Sequence, residues 1–390
     1  MAATALSGCS GPTARSATGS GDPAPGGGGG ASVGASAAAP TAHLLGSARH
    51  HSLQRPVVVV ATHGTLTSVV LQAGSSTVPG RASPHARHWQ STGRLAPSTT
   101  YTAVVHLSGP QGQPVQKALQ VRTGKATRLL TMTATPGPRW TVGVAEPVVV
   151  TFNRPVPNRA VVQRRMSVST DAGRVTGAWH WFSPTVVHYR PRHFWPVGTT
   201  VQVHVDLAGL YAGRGIWGDR NHDWTWRVGD RHVTYVNASR HTFRVTDNGT
   251  TVARWPTGMG MPGFVTRDGV YTVLGTLPVV RMTSCSVGLS CTPGSPNYYA
   301  LTVHWDTQLT DTGTYIHAAP WDSEMGVANT SHGCIHLSTA NAKRFYRFSQ
   351  PGDVVIVRGS GRPPDLPADP GMMDWNMSWS QWLAGSALRQ

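Results

Sequence analysis

The stretch Ser331-His332-Gly333-Cys334 decides how this 390-residue chain is interpreted, because it places a thiol beside an imidazole and a glycine. His317 lies seventeen residues before Cys334, directly after the run Thr314-Tyr315-Ile316. A thiol reacts as thiolate and therefore needs a base or a positive environment. Gly333 lets the backbone turn tightly and bring N–H groups near the sulfur, where an oxyanion would be held. The pattern predicts a catalytic cysteine; the alternative is an inert, buried thiol.

A helix is predicted just after this motif. Ser338 is a suitable N-cap, and Thr339 to Phe348 has a helical pattern. The positive end of this helix would lie near Cys334 and would favour its thiolate form modestly.

The other three cysteines indicate an exported protein. Leu6-Ser7-Gly8-Cys9 matches the lipobox of bacterial lipoproteins, although only eight residues precede Cys9 and they contain no apolar signal core. We expect the true start to lie upstream and Cys9 to be lipidated, which would anchor the protein to the cell membrane, facing the cell wall; a chance match is the alternative. Cys285 and Cys291 lie close enough in a loop for a local disulfide, with two reduced side chains as the alternative. Cys334 is then left as a free functional thiol.

The composition supports a tethered, exported chain. Residues 1–48 are mainly Gly, Ser, Ala, Pro and Thr and predict a flexible linker. No later stretch has the apolar length of a membrane span. The net charge of +16 suits a polyanion, but no basic helix, finger or aromatic-basic motif indicates nucleic acid. An anionic membrane surface or cell-wall polymer is the better match, with a solvated surface lacking a specific partner as the alternative.

Short strands separated by turns fill most of the remaining chain. Residues 49–125 and 126–229 each have the size and alternation of an immunoglobulin-like β-sandwich, and we interpret both as spacers. Residues 230–358 predict a β-rich domain with one main helix, in which Leu274 to Pro296 forms an excursion that would act as a lid. Residues 359–390 form a Trp-rich C-terminal tail. The predicted fold class is mainly β.

The region around His317 and Cys334 resembles a known family. His317-Ala318-Ala319-Pro320-Trp321, followed by Asn329-Thr330 and the Ser331–Cys334 motif, is similar to the catalytic core of L,D-transpeptidases with the YkuD-type fold. The tail, with Asp374-Trp375-Asn376 and Trp379-Ser380-Gln381-Trp382, is similar to that of actinobacterial members. Two immunoglobulin-like domains before the catalytic domain also fit that subgroup.

The resemblance implies a peptidoglycan acyltransferase that needs no cofactor. Cys334 would attack the carbonyl before the terminal D-alanine of a tetrapeptide stem, and a side-chain amine of a second stem would resolve the acyl-enzyme into a 3→3 cross-link. His317 would be the base, oriented by the backbone carbonyl of Ala318. His332 would shape the pocket and stabilise the thiolate, while the N–H groups of Gly333 and Cys334 would form much of the oxyanion hole. Carbapenems would acylate the same thiol.

Further residues are assigned to substrate binding. By family position, Tyr299 would flank the lid and Gly313 would lie beside the catalytic histidine. Met282 would be a pocket wall, and Tyr298 would stack on a stem peptide; packing is the alternative for both. The full set of substrate-binding candidates is Tyr298, Tyr299, Gly313, Ala318, Ser331, His336 and Met282. The tail tryptophans are expected to cap the catalytic domain.

One departure from the family pattern leaves alternatives open. His336 stands where the family usually has Asn or Arg. We interpret it as a polar wall of the substrate pocket. A zinc site built from His317, His332, Cys334 and His336 is the rival, since imidazole and thiolate are good zinc ligands. A wall-binding lipoprotein without activity is the other alternative.

Overall fold

The computed structural model describes residues 38–364 and 374–388. Strands are the main regular structure among these residues, and the helices are few and short. The predicted mainly β fold class is therefore confirmed. Cys9 and most of the predicted linker lie outside the described residues. Within the described ranges, no helix has the length and apolarity needed to cross a membrane.

The first unit is a sandwich of two four-stranded sheets, with orders β1-β2-β6-β5 and β4-β3-β7-β8. Alternation explains its core: β7 turns Tyr101, Ala103, Val105 and Leu107 inward, and its intervening residues face outward. The strands are β1 Thr41–Leu44, β2 Val58–Thr62, β3 Thr65–Ala73, β4 Ser76–Val78, β5 Gly80–Ala82, β6 His88–Ser91, β7 Thr100–Ser108 and β8 Pro114–Arg122.

The second unit has its own core between the sheets β10-β12-β15-β14 and β11-β19-β16-β13. Large aromatic side chains, including Trp179, Trp195 and Trp226, fill the space between the sheets. The elements are β9 Arg128–Leu130, β10 Met132–Thr135, β11 Thr141–Val142, β12 Val148–Phe152, α1 Arg159–Gln163, β13 Met166–Thr170, β14 Gly177–Trp181, β15 Val186–Pro191, β16 Thr200–Asp206, β17 Tyr211–Gly213, β18 Ile216–Gly218 and β19 Asn221–Val228.

The third unit combines a five-stranded sheet, β22-β21-β20-β28-β23, with a four-stranded sheet, β24-β25-β26-β27. Helix α2, Thr339–Phe348, buries Ala342 and Phe345 in their shared core. Ser338 caps the helix by accepting a hydrogen bond from the N–H of Asn341, as predicted. The strands are β20 His232–Asn237, β21 Thr242–Asp247, β22 Thr250–Pro256, β23 Gly269–Thr272, β24 Gly275–Thr283, β25 Ala300–Gln308, β26 Tyr315–Ala318, β27 Ile335–Leu337 and β28 Val354–Arg358.

The predicted excursion over Leu274 to Pro296 is wrong in its first half. Residues Gly275–Thr283 form strand β24, which pairs along its length with β25 as a hairpin. The hairpin extends beyond the core, so apolar side chains such as Val279 and Leu301 stay exposed and the strand lacks a clear buried face. The irregular part begins at the 3-10 turn Ser284–Val287.

The prediction that the tail tryptophans cap the third unit is incomplete, because these residues also pack on the second unit. Helix α3, Trp379–Ala384, packs on β14 of the second unit. There Trp382 stacks on His180 and donates a hydrogen bond to the carbonyl of Ala178. The Arg190 guanidinium lies 4.6 Å from the centroid of the Trp382 ring. This buried cation attracts the ring faces of the tail, so the tail is anchored to the second unit.

Candidate active site

The register of two parallel strands positions the site. In β26 and β27, Ile316 pairs with Ile335 and His317 pairs with His336. The two isoleucines enter the core of the third unit, so the two histidines project from the opposite face of the sheet. Cys334 immediately precedes β27. Cys334, His317 and His336 line one cavity of about 380 Å³.

The Cys334 thiol is protonated at rest. Its sulfur lies 3.6 Å from the carbonyl oxygen of Gly313 and accepts a hydrogen bond from the backbone of Tyr315. Burial raises the pKa of the thiol to about 11, and the nearby Asp306 carboxyl contributes to this increase. The sulfur therefore needs a base to remove its proton before it can attack.

His317 is placed to be a neutral base. Its Nδ1 lies 2.9 Å from the Ala318 carbonyl oxygen, to which it donates, so Nε2 carries the lone pair. Burial, with a further contribution from His336, lowers the pKa of His317 to about 4. The orientation by the Ala318 carbonyl is the one that the family resemblance implied. The resting pair consists of a neutral imidazole and a thiol.

His332 lines the same cavity, in keeping with the pocket-shaping role implied for it, and the contacts of His332 and Gly333 bear on their other predicted roles. The His332 ring lies between Phe264 and Tyr299, at centroid distances of 4.6 and 5.0 Å. Burial lowers its pKa, which does not favour the cationic form that would stabilise a thiolate. The N–H of Gly333 donates to Ser331 Oγ at 3.0 Å, so it is already engaged rather than free for an oxyanion. Gly333 has φ = +124°, a backbone conformation that favours glycine.

The predicted substrate residues separate into two groups. Met282, Tyr299, Gly313, Ser331 and His336 line the cavity with Cys334, whereas Tyr298 and Ala318 do not. Ser331 also braces the turn, since its hydroxyl donates to the Cys334 carbonyl at 2.6 Å. Ala318 acts through its carbonyl alone.

A disulfide-closed loop overhangs the cavity. Cys285 and Cys291 are joined by a disulfide around the 3-10 turn, which presents Ser286 and Val287 to the cavity. Gly313 has φ = +108°, and a Cβ there would lie 2.9 Å from Val287 Cγ1. Glycine is therefore needed where the loop meets the strand that leads to His317.

Sequence reasoning missed three residues at the site. Trp321 lines the cavity and is half exposed. The buried Asp322 bonds to His336, with Oδ2 2.6 Å from Nδ1. Asp306 is fully buried, and neither of its carboxylate oxygens has a hydrogen-bond partner among the described residues. Trp321 ends the His317–Trp321 stretch and Asp322 follows it directly, but only the placement of Asp306 on the buried part of β25 reveals that residue.

Replacing Asp306 by asparagine is expected to remove a pH-dependent loss of stability. Burial raises the pKa of Asp306 from 3.8 to about 7. The native state therefore holds this proton between those values while the unfolded chain has lost it, so wild-type stability falls as pH rises from about 4 to about 7. One pKa unit corresponds to about 1.4 kcal/mol, which sets an upper limit of about 4 kcal/mol at neutral pH. Thermal unfolding at pH 4 and pH 7.5 tests this. The variant should be more stable than wild type only at the higher pH, and an equal difference at both values would contradict the assignment.

The side chains of the zinc alternative are not gathered as a metal site. Across the described ranges, the histidine, cysteine and acidic side chains that bring three donor atoms within 4.8 Å of one another are Asp230, His232 and Asp247 instead. The geometry therefore does not favour zinc bound by His317, His332, Cys334 and His336.

Comparisons with known proteins agree with this geometry. Residues 48–211 match a bacterial Ig domain and residues 231–357 match the L,D-transpeptidase catalytic domain. The chain is 33% identical to L,D-transpeptidase 2 of Mycobacterium tuberculosis over 89% of this chain and 84% of that protein. It is 30% identical to L,D-transpeptidase 5 of the same species, over 85% and 73%.

Two solved structures are also similar. An L,D-transpeptidase in complex with imipenem has a TM-score of 0.52 and 32% identity, over 59% of this chain and 99% of that one. An L,D-transpeptidase from Mycobacterium smegmatis has a TM-score of 0.50 and 31% identity, over 59% and 99%. The resemblance indicated by His317 and the Ser331–Cys334 motif is confirmed. The chain is an acyltransferase enzyme that belongs to the L,D-transpeptidase family.

Proposed function

We propose that this protein forms 3→3 cross-links in peptidoglycan through a thioester on Cys334. The donor is a tetrapeptide stem, and its terminal D-alanine is the leaving group. The observation that carries the proposal is the placement of Cys334 and the oriented imidazole of His317 in one cavity.

The first half-reaction starts from neutral groups. Nε2 of His317 takes the proton of the Cys334 thiol as the sulfur attacks the stem carbonyl, and the same proton then passes to the leaving amine of D-alanine. Because the pKa of the thiol is raised to about 11 and that of His317 is lowered to about 4, ionisation accompanies the attack instead of preceding it. Such a thiol is protected from adventitious oxidation, since the thiolate is the reactive form.

The oxyanion needs donors other than the Gly333 N–H. The backbone N–H of Cys334 is the donor that we retain from the family resemblance, with the Gly333 turn holding it in place through Ser331. The cavity of about 380 Å³ suits a short peptide segment, and the loop closed by Cys285 and Cys291 would cover it as a lid.

The same thiol would react with carbapenems. A related L,D-transpeptidase has been solved in complex with imipenem, and a β-lactam carbonyl presents the same electrophile to Cys334 as a stem amide.

We also propose that the enzyme works outside the cell membrane, anchored by a lipid on Cys9. Support comes from the Leu6-Ser7-Gly8-Cys9 motif, from the disulfide between Cys285 and Cys291, and from the net charge of +16, which suits an anionic wall or membrane surface.

Incubation with disaccharide-tetrapeptide tests the activity. The expected products are free D-alanine and a dimer whose fragmentation in mass spectrometry shows a link between two diaminopimelate residues. Tripeptide without dimer would indicate hydrolysis instead of cross-linking. Unchanged tetrapeptide would favour the wall-binding alternative.

A further inference from the structure

A second histidine in the cavity has a carboxylate partner of its own. His336 Nδ1 lies 2.6 Å from Asp322 Oδ2, and both side chains are almost completely buried. The His336 ring contacts the ring of His317 edge to face, with a centroid distance of 4.9 Å. His317, by comparison, is oriented only by a backbone carbonyl. The cavity therefore contains two imidazoles that differ in their electrostatic support.

The surrounding backbone is shaped around this pair. The N–H of His336 donates to the Gly258 carbonyl at 2.8 Å, and its carbonyl accepts from Thr257 Oγ1 at 2.7 Å. A Cβ on Gly258 would lie 2.7 Å from Asp322 Oδ2. The absence of a side chain at Gly258 thus leaves the space that the carboxylate occupies, and the pair is held rigidly.

The second half-reaction must release one proton to solvent, and a base beside the acceptor amine would promote that step. A primary amine with a pKa of about 10.4 arrives as ammonium at neutral pH and cannot attack a thioester until it loses a proton. It loses another proton as the amide forms. His317 accounts for one of these transfers, because the departing sulfur of Cys334 takes up a proton.

We propose that His336, backed by Asp322, is the acceptor-side base that binds and deprotonates the incoming ammonium. The ammonium gives one proton to Nε2 of His336, and Asp322 stabilises the resulting imidazolium. The amine nitrogen then forms a bond to the thioester carbonyl carbon as the carbon–sulfur bond breaks. The second N–H proton passes through His317 to the sulfur, which restores the Cys334 thiol, and His336 releases its proton to solvent.

This inference rests on the proposed acyl-enzyme and concerns only how that intermediate divides between amine and water. The two products are measured in the same reaction with disaccharide-tetrapeptide as donor and acceptor: dimer from attack by amine, tripeptide from attack by water. Their ratio does not depend on how fast the acyl-enzyme forms. A variant that slows acylation therefore still gives an informative result.

His336→Asn and Asp322→Asn should each lower the ratio of dimer to tripeptide by at least about tenfold, because general-base assistance contributes ~10²- to 10⁴-fold. Asp322→Asn should also raise the acceptor concentration needed for half-maximal dimer formation, since it removes the buried negative charge. His232→Asn is the matched control, because His232 also pairs with a buried carboxylate, with Nδ1 3.0 Å from Asp353 Oδ2, but does not line the cavity. It should leave the ratio within about twofold.

An unchanged ratio in both variants would overturn the inference and make the pair a structural one. If His336→Asn fails to fold, Asp322→Asn alone decides, since it keeps the imidazole in the cavity. Absence of both products from the wild-type enzyme would overturn the proposed function itself, which is a different outcome from an unchanged ratio.

Discussion

Cys334→Ala is expected to abolish the covalent adduct that imipenem forms with the wild-type protein. The thiol is the nucleophile of the proposed acyl-enzyme, and removing the nucleophile of such a catalytic group costs on the order of 10⁴-fold or more in rate. Intact-protein mass spectrometry after incubation with imipenem measures the effect directly. The variant should keep its fold, since the side chain lies at a cavity and not in the hydrophobic core.

The disulfide provides a matched control. In a double variant, Cys285→Ser with Cys291→Ser, two other sulfur atoms are removed from the same domain while Cys334 stays. This protein should still form the adduct. Adduct formation in Cys334→Ala, or its loss only in the double variant, would show that another group reacts with imipenem.

His317→Gln is expected to slow acylation by imipenem by ~10²- to 10⁴-fold at pH 7, because the proton of a thiol with a pKa of about 11 then loses the base assigned to accept it. The pH profile separates this role from a structural one. In the wild type, His317 is a competent base above its pKa of about 4, so the acylation rate falls as pH decreases through that value.

The variant should have the opposite dependence. Without the imidazole, only the small thiolate fraction of Cys334 reacts, and its rate should rise with pH up to about 11. Initial rates of imipenem consumption across this range provide the measurement. An acid limb near pH 4 that persisted in His317→Gln would assign the base to another residue, and near-wild-type rates at pH 7 would have the same meaning.

Local signals account for what the sequence predicted well. Ser338 and the pattern after it predicted helix α2 with its boundaries, because capping and helical periodicity act over a few residues. The spacing of His317 and the Ser331–Cys334 motif predicted the cavity that contains them. Strand β24 was missed because half of a hairpin that extends into solvent lacks the alternation between buried and exposed residues on which strand prediction depends.

Tertiary contacts account for what the sequence could not predict. Asp306 reads as an ordinary polar residue until β25 places it in the interior without a partner. The same is true of the Asp322 carboxylate, which reaches His336, fourteen positions later, only because the chain folds back between them. Burial also raises the pKa of Cys334 and lowers that of His332, an effect of the fold that the sequence does not show.

The contact between the C-terminal helix and Arg190 affects how the enzyme would respond to truncation of its C-terminus. Loss of residues 374–388 would leave the active-site side chains untouched but would remove Trp375 and Trp382 from the surface of the second sandwich. The packing of Val233 and Val354 in the second core, together with the backbone contacts of Gly143 and Ala145 to the Pro351–Gly352 turn, would then be left to resist hinge motion at the boundary near Gly229. A clipped enzyme of this kind would keep its intrinsic chemistry while losing the fixed angle at which it meets a rigid polymer. Defects from C-terminal damage should therefore be seen with intact sacculi before they are seen with small soluble substrates.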